Sequence, residues 1–218
     1  MLDLVKFVIV RHGYSEFNKQ GRFSGQADIA LDEIGKEQAY SIAKYAAKNF
    51  KIDSIYSSDL CRAYETARPT AEMLGLPIVK EKELRELHVG EWQGMLVKEI
   101  EKEYPEEFAL FKNNVGLARP VGGESYPELM VRAAKIFDKI AKENEGKTVF
   151  VATHGGIVRA LRCAWAGITP EGIQEVAHVK NASISVAEYS DGKGVFSEIG
   201  YTGHLENTEI SSEFKRFF

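Results

Sequence analysis

Cysteine is almost absent from this chain, with only Cys61 and Cys163 among 218 residues. The two lie far apart and have neither zinc nor redox spacing, so they read as reduced core thiols. An excess of positive charge is also missing. Lys and Arg total 28 against 32 Asp and Glu, a formal net charge of −4. That balance gives no general attraction for nucleic acid or anionic lipid, so any anion site has to be a local cluster of basic groups. No apolar run approaches the ~20 residues of a membrane span. The N-terminus lacks the long apolar core and cleavage site of a secretory signal, and the expected location is the cytoplasm. Internal repeats and low-complexity tracts are lacking too.

What is present is an ordinary globular composition, 44% apolar, enough for a sizeable core. The length predicts one domain over 1–218. Strand and helix patterns alternate, which predicts an α/β fold on a mainly parallel sheet. Strands are expected at 4–10, 52–57 and 148–153, and helices at 35–49, 126–144 and 156–166. Asp59 reads as the N-cap of a helix running to Leu74, with Gly75 at its end and Pro69 expected to kink or interrupt it. Residues 11–34 form a polar connection too long to be ordinary, hence functional. Residues 83–127 break the alternation, hold one or two short helices around 95–113, and read as an excursion over the sheet edge. Late strands at 182–189 and 195–201 are joined by Ser190-Asp-Gly-Lys-Gly194, a hairpin signal that adds an antiparallel edge strand. The tail from Glu206 ends in Phe214-Lys-Arg-Phe-Phe218, an apolar tip that admits a homodimer as protein partner.

Two strands end alike. Phe7-Val-Ile-Val10 stops at Arg11-His12-Gly13, and Thr148-Val-Phe-Val-Ala-Thr153 stops at His154-Gly155-Gly156. Open α/β sheets hold ligands at the carboxyl ends of their strands, so both histidines belong to one site. A neutral imidazole is a competent nucleophile toward phosphorus. Adjacent guanidiniums keep it neutral and neutralise phosphoryl oxygens through forked hydrogen bonds. A lone histidine at a strand end is usually a satisfied structural group; the flanking Arg11 and the second His-Gly end reverse that. Arg62, in the first turn after a strand, faces the same edge, although alone it would read as a solvated charge or a partner of Asp59 or Glu65. Asn18 supplies an amide donor. The small residues after His154 leave backbone N–H groups open to an anion. An esterase oxyanion loop is the competing reading of His-Gly-Gly, but the chain has no Gly-x-Ser-x-Gly elbow. Departure of an alkoxide needs a proton donor, and Glu81, Glu83, Glu86 and Glu91 all lie close enough in sequence to compete for that role.

Arg11-His-Gly-Tyr-Ser-Glu-Phe-Asn18 resembles the Arg-His-Gly-x-Thr-x-x-Asn signature of the histidine phosphatase superfamily, in its phosphoglycerate mutase-like branch. The resemblance continues through Gly21–Gly25, Asp28–Gly35, Ser57-Ser58 with Arg62, Glu86–Gly94, Gly122–Ser125 and His154-Gly155, with His204-Leu205 also in keeping. It implies a three-layer α/β/α sandwich on a mostly parallel mixed sheet, with the small helical excursion over the active-site edge. It implies His12 as the phosphorylated nucleophile, and Arg11, Arg62 and His154 as the phosphate pocket. Asn18, Ser24, Gly25 and the Gly155 amide are implied as further phosphate-binding groups, and Glu86 as proton donor. No metal and no organic cofactor are implied. The partner is a small phosphorylated molecule.

Ala30 and Asp32 stand where that family often has Pro and Thr, in a loop near the substrate entrance. The interval from Glu86 to Gly123 is shorter than in the glycolytic mutases, and its basic residues are mainly Lys98, Lys102, Lys112 and Arg119. A mutase has to keep its phospho-intermediate dry; the short excursion suits a phosphatase better. The expectation is therefore a phosphomonoesterase. A phosphoglycerate mutase using the same residues and a non-catalytic phospholigand-binding module are the alternatives. Tyr14, Phe23, His88, Trp92 and Phe111 either line the pocket or pack the excursion.

Overall fold

Long β-branched runs make buried strands, and the first of them sets the frame. The computed structural model describes residues 3–205, so the tail from Glu206 lies outside the described residues. Six strands form one sheet: β1 (Val5–Arg11), β2 (Ser54–Ser58), β3 (Ile78–Glu81), β4 (Thr148–Thr153), β5 (Ile184–Ser190) and β6 (Lys193–Tyr201). Their order is β3-β2-β4-β1-β5-β6. The first four are parallel, β5 runs antiparallel to β1, and β6 returns beside β5 as the expected antiparallel edge. The hairpin turns at Asp191 and Gly192, both at positive φ, so Lys193 and Gly194 already belong to the strand. β3 is the strand not anticipated; at four residues it is too short to show a period.

The central strands are covered on both faces. On β1, Phe7 and Ile9 join one apolar cluster while Val8 and Val10 join the other. Helices α2 (Glu33–Asn49) and α3 (Cys61–Leu74) pack on the Val8 side, while α6 (Tyr126–Glu143) and α7 (Gly155–Ala166) pack on the Phe7 side. The result is the expected three-layer α/β/α sandwich. Between α3 and α6 lie the short α4 (Val97–Glu103) and α5 (Pro105–Asn113), following a single short turn α1 (Glu16–Gln20) much earlier in the chain. Trp92 is fully buried among Phe23, Phe108 and Phe111, an edge-to-face cluster that anchors α5 and its neighbours.

Two capping details differ from expectation. Asp59 does not cap α3, because the Arg85 guanidinium takes both its oxygens at 2.7 and 2.6 Å. The exposed N–H of Cys61 in the first turn donates instead to Asp28, at 2.6 Å, from the long 11–34 connection. Pro69 leaves α3 uninterrupted; Ala63, Ala67 and Ala71 are buried along the helix on either side of it. Asp32 accepts from the Gly35 N–H at 2.8 Å and so caps α2.

Candidate active site

In-register parallel pairing puts Arg11 of β1 opposite Thr153 of β4. Each strand is followed at once by its histidine, so His12 and His154 emerge side by side, with ring centroids 5.1 Å apart. β2 ends on the other flank of β4, and its Ser58 hydroxyl lies 2.9 Å from His154 Nε2. Because β5 is antiparallel, its beginning shares this edge. The preceding loop therefore also belongs to the site: Ala182 N–H donates to the His12 carbonyl, and the Asn181 amide reaches His12 O and Asn18 Oδ1.

His12 is held in one tautomer. Its Nδ1 lies 2.7 Å from the Gly13 carbonyl, a partner that can only accept, so Nδ1 carries the proton. Nε2 keeps its lone pair and receives the Arg62 Nε–H at 3.3 Å. Burial, then Arg62 and Arg11, hold the ring pKa well below the usual histidine range. His154 is lowered for the same leading reason, with Arg62, His12 and Arg11 adding to it. Both imidazoles are neutral at pH 7. Arg62 is fully buried, fixed by the Ala27 and Gly25 carbonyls at 2.7 Å each. Burial brings it down to about 10, so it stays charged. Three of its five N–H groups are used, and two remain for an anion. Arg11 is lowered by burial and partly restored by Glu86, and its one hydrogen bond goes to the Val179 carbonyl.

These groups surround a cavity of about 260 Å³. Arg11, His12, Asn18, Ser24, Gly25, Arg62 and Glu86, all residues that the family resemblance pointed to, line it. Asn18 turns its oxygen to Ser15 and Asn181, which leaves its NH2 end for a ligand. His154 and Gly155 stand one layer behind the wall. His154 is fully buried, and its Nδ1 has no hydrogen-bond partner. Gly155 packs against the Arg11 side chain, where an added Cβ would lie 3.2 Å from Cζ. The four competing glutamates separate cleanly. Glu81 pairs with Lys139, Glu83 is exposed, and Glu91 accepts from Tyr104. Glu86 alone reaches the cavity, its carboxylate accepting the Leu87 and Gly156 N–H groups at 2.8 and 3.1 Å. Gly156 makes room for this contact, since a Cβ there would stand 2.0 Å from Glu86 Oε1 and would displace the carboxylate.

Of the aromatic residues, Phe23 and Phe111 line the cavity, whereas Trp92 and Tyr14 are buried elsewhere and His88 is no part of the wall. Sequence reasoning missed Arg22, Tyr126 and His178, which do line it, and Asn181 behind it. His178 and Asn181 carried no local signal; they belong here because the strand that follows them runs antiparallel to β1. Among the described residues no three His, Cys, Asp or Glu side chains cluster as a metal site requires.

A neutral, oriented imidazole, three guanidiniums and a single carboxylate around one small cavity are the components that phosphoryl transfer uses. Comparison with known proteins agrees. The profile of the Histidine phosphatase superfamily (branch 1) matches residues 7–202. The metal-independent phosphoserine phosphatase of Arabidopsis thaliana is 35% identical, over 94% of this chain and 85% of that protein. Phosphoserine phosphatase 1 of Hydrogenobacter thermophilus is 35% identical, over 93% of this chain and 95% of its own length. Among solved structures, YhfR of Bacillus stearothermophilus superposes with a TM-score of 0.87 at 28% identity, covering 93% of this chain and 100% of that one.

Proposed function

The chain belongs to the histidine phosphatase superfamily, branch 1, and from that premise we propose that it hydrolyses small-molecule phosphomonoesters through a phosphohistidine on His12. The whole chain is read as one such domain, with residues 83–127 as its helical cover, acting in the cytoplasm. The observation that carries the reading is the tautomer of His12: Nδ1–H is spent on the Gly13 carbonyl, which leaves Nε2 unprotonated, accepting only the Arg62 Nε–H at 3.3 Å, as the ring atom able to attack.

The substrate phosphate sits among Arg11, Arg62 and Asn18, whose donors meet the equatorial oxygens, with His154 directly behind them. Nε2 of His12 attacks phosphorus, and the bond from phosphorus to the ester oxygen breaks. Glu86 gives its proton to the departing oxygen, so the alcohol leaves neutral. The Glu86 carboxylate then takes a proton from water, which attacks phosphorus and breaks the N–P bond. Inorganic phosphate leaves, and His12 is again a neutral imidazole. The guanidiniums stay charged throughout and stabilise the charge spread over the transferring group.

The mutase reading loses support from the excursion. Its basic residues do not reach the cavity: Lys112 pairs with Glu101, Arg119 pairs with Glu128, and Lys98 and Lys102 are exposed. O-Phosphoserine, the substrate named for two relatives, is the first compound to assay. His12→Ala is expected to abolish phosphate release from it and from p-nitrophenyl phosphate. Near-normal turnover by that variant removes the proposed nucleophile, and conversion of 3-phosphoglycerate to 2-phosphoglycerate faster than hydrolysis replaces the phosphatase with a mutase.

A further inference from the structure

Arg159, on α7, is a buried cation that the phosphoryl-transfer steps do not use. It is 6% exposed. Among the described residues no carboxylate pairs with it. Nη2 donates to the Ile173 and Gln174 carbonyls at 2.6 and 3.3 Å, and Nη1 lies 3.2 Å from His178 Nε2. Its Nε is buried with no hydrogen-bond partner. A buried guanidinium satisfied by neutral groups alone retains an unbalanced positive charge, which is costly unless a negative group comes to it.

Its surroundings point that charge toward the cavity. The guanidinium lies over the Tyr126 ring, 5.2 Å from the centroid. The Tyr126 hydroxyl is 3.3 Å from the same His178 Nε2. His178 is neutral: burial of its nitrogens, then Arg159 and Arg11, bring it down to about 3. Neutral imidazole offers Nε2 a single lone pair, and two donors compete for it. When Arg159 holds that lone pair, the Tyr126 proton is free for a ligand. Tyr126 and His178 both line the cavity, beside Glu86. Burial pushes the Tyr126 phenol up, so it stays a donor at neutral pH. Arg22 also lines the cavity, and its hydrogen bonds likewise go to neutral groups, Gln20 Oε1 and the Gly94 carbonyl.

Charge settles what would sit there. With Glu86 carrying the proton it donates, Arg11, Arg22 and Arg62 leave the lining at +3, of which a phosphomonoester dianion balances two charges. Arg159 adds one further positive charge directly behind Tyr126 and His178. We propose that Tyr126, backed by His178 and Arg159, forms a leaving-group subsite that selects phosphomonoesters whose alcohol carries a carboxylate near the ester oxygen. This rests on the phosphatase reading above and names the substrate class of the same cavity.

Matched pairs isolate the carboxylate. 3-Phosphoglycerate and glycerol 3-phosphate differ only by carboxylate against hydroxymethyl, and O-phosphoserine and O-phosphoethanolamine differ only by the carboxylate. In turnover by the wild type, kcat/KM is expected to favour the carboxylated member by about tenfold or more, the worth of one hydrogen bond to a charged group. Tyr126→Phe, which keeps the ring, should shrink that ratio by about tenfold. The same pairs titrated calorimetrically into His12→Ala should show the same preference in Kd. That binding measurement is independent of the chemistry. If the wild type hydrolyses none of the four yet binding still discriminates, the phosphatase reading falls and the subsite stands. Equal kcat/KM and equal Kd within both pairs, or a Tyr126→Phe variant that keeps the full ratio, overturns the subsite.

Discussion

At the scale of single residues, the site is a problem of close approach. Glu86 can rest on the first turn of α7 only because position 156 has no side chain. Gly156→Ala puts a Cβ 2.0 Å from Glu86 Oε1, the mobile end of a side chain rather than backbone, so the fold yields by moving the carboxylate. We expect kcat to fall on the order of 10²-fold, the cost of displacing a catalytic group by about an ångström, with little change in melting temperature. Steady-state kinetics beside a thermal melt checks this; an unchanged kcat contradicts it. Residues that end a strand and precede glycine, such as His12 and His154, were legible in sequence because their position is set by the strand itself. Glu86 was not separable from its three neighbours by composition, and only the family resemblance singled it out. Arg159, Tyr126 and Asn181 gave no signal, since their importance arises from contacts with residues as many as 169 positions away. Asp59 misled because a side chain from a distant loop outcompeted the local N–H groups for it.

At the scale of elements, the loop carrying Glu86 is held from α6. Arg132 makes five hydrogen bonds: two to Glu124 and three to the backbone carbonyls of Glu83, Arg85 and Glu86. Glu124 and Arg132 are only 15% and 16% exposed, so removing the cation leaves a largely buried carboxylate unpaired. Arg132→Gln is expected to cost roughly 3 kcal/mol of stability and to lower kcat together with it, because the Glu86 carbonyl loses a donor. Urea unfolding combined with turnover at a temperature where both proteins are folded tests this, and an unaltered midpoint contradicts it. The alternation of strands and helices was readable because the central strands are covered on both faces and so appear as unbroken apolar runs. The 176–183 loop was not readable as functional. Its role follows from the antiparallel direction of β5, a property of sheet pairing that no local window contains.

At the scale of the whole molecule, an acidic chain carries a cationic cavity backed by buried histidines, and that contrast has a pH signature. His12 and His154 are fully buried with pKa values held well below 6.5. In the unfolded chain they take up protons as the pH drops through about 6.5. The folded protein does not, so the unfolded state binds more protons and stability falls as pH decreases below that value. Each of these two groups contributes a slope approaching 1.4 kcal/mol per pH unit once the solution lies well below 6.5. The urea midpoint at pH 5.5 should therefore lie below that at pH 7.5, and an equal or higher midpoint contradicts the neutral, buried state of the pair. The α/β alternation and the edge that bears the site followed from the sequence pattern, and the three layers from the family resemblance. The positive excess inside the cavity did not, because it depends on which charges are paired once the chain is folded.

The proposed reaction turns on His12 Nε2 as the atom that receives the phosphoryl group. Rapid quench into alkali during turnover of a 32P-labelled phosphomonoester, followed by peptide mapping and phosphorus NMR, locates that group directly. We expect acid-labile phosphate on the peptide containing His12, as the Nε2 isomer, and none on His12→Ala. Label on another residue, label on Nδ1, or no covalent phosphoenzyme while turnover proceeds would contradict it.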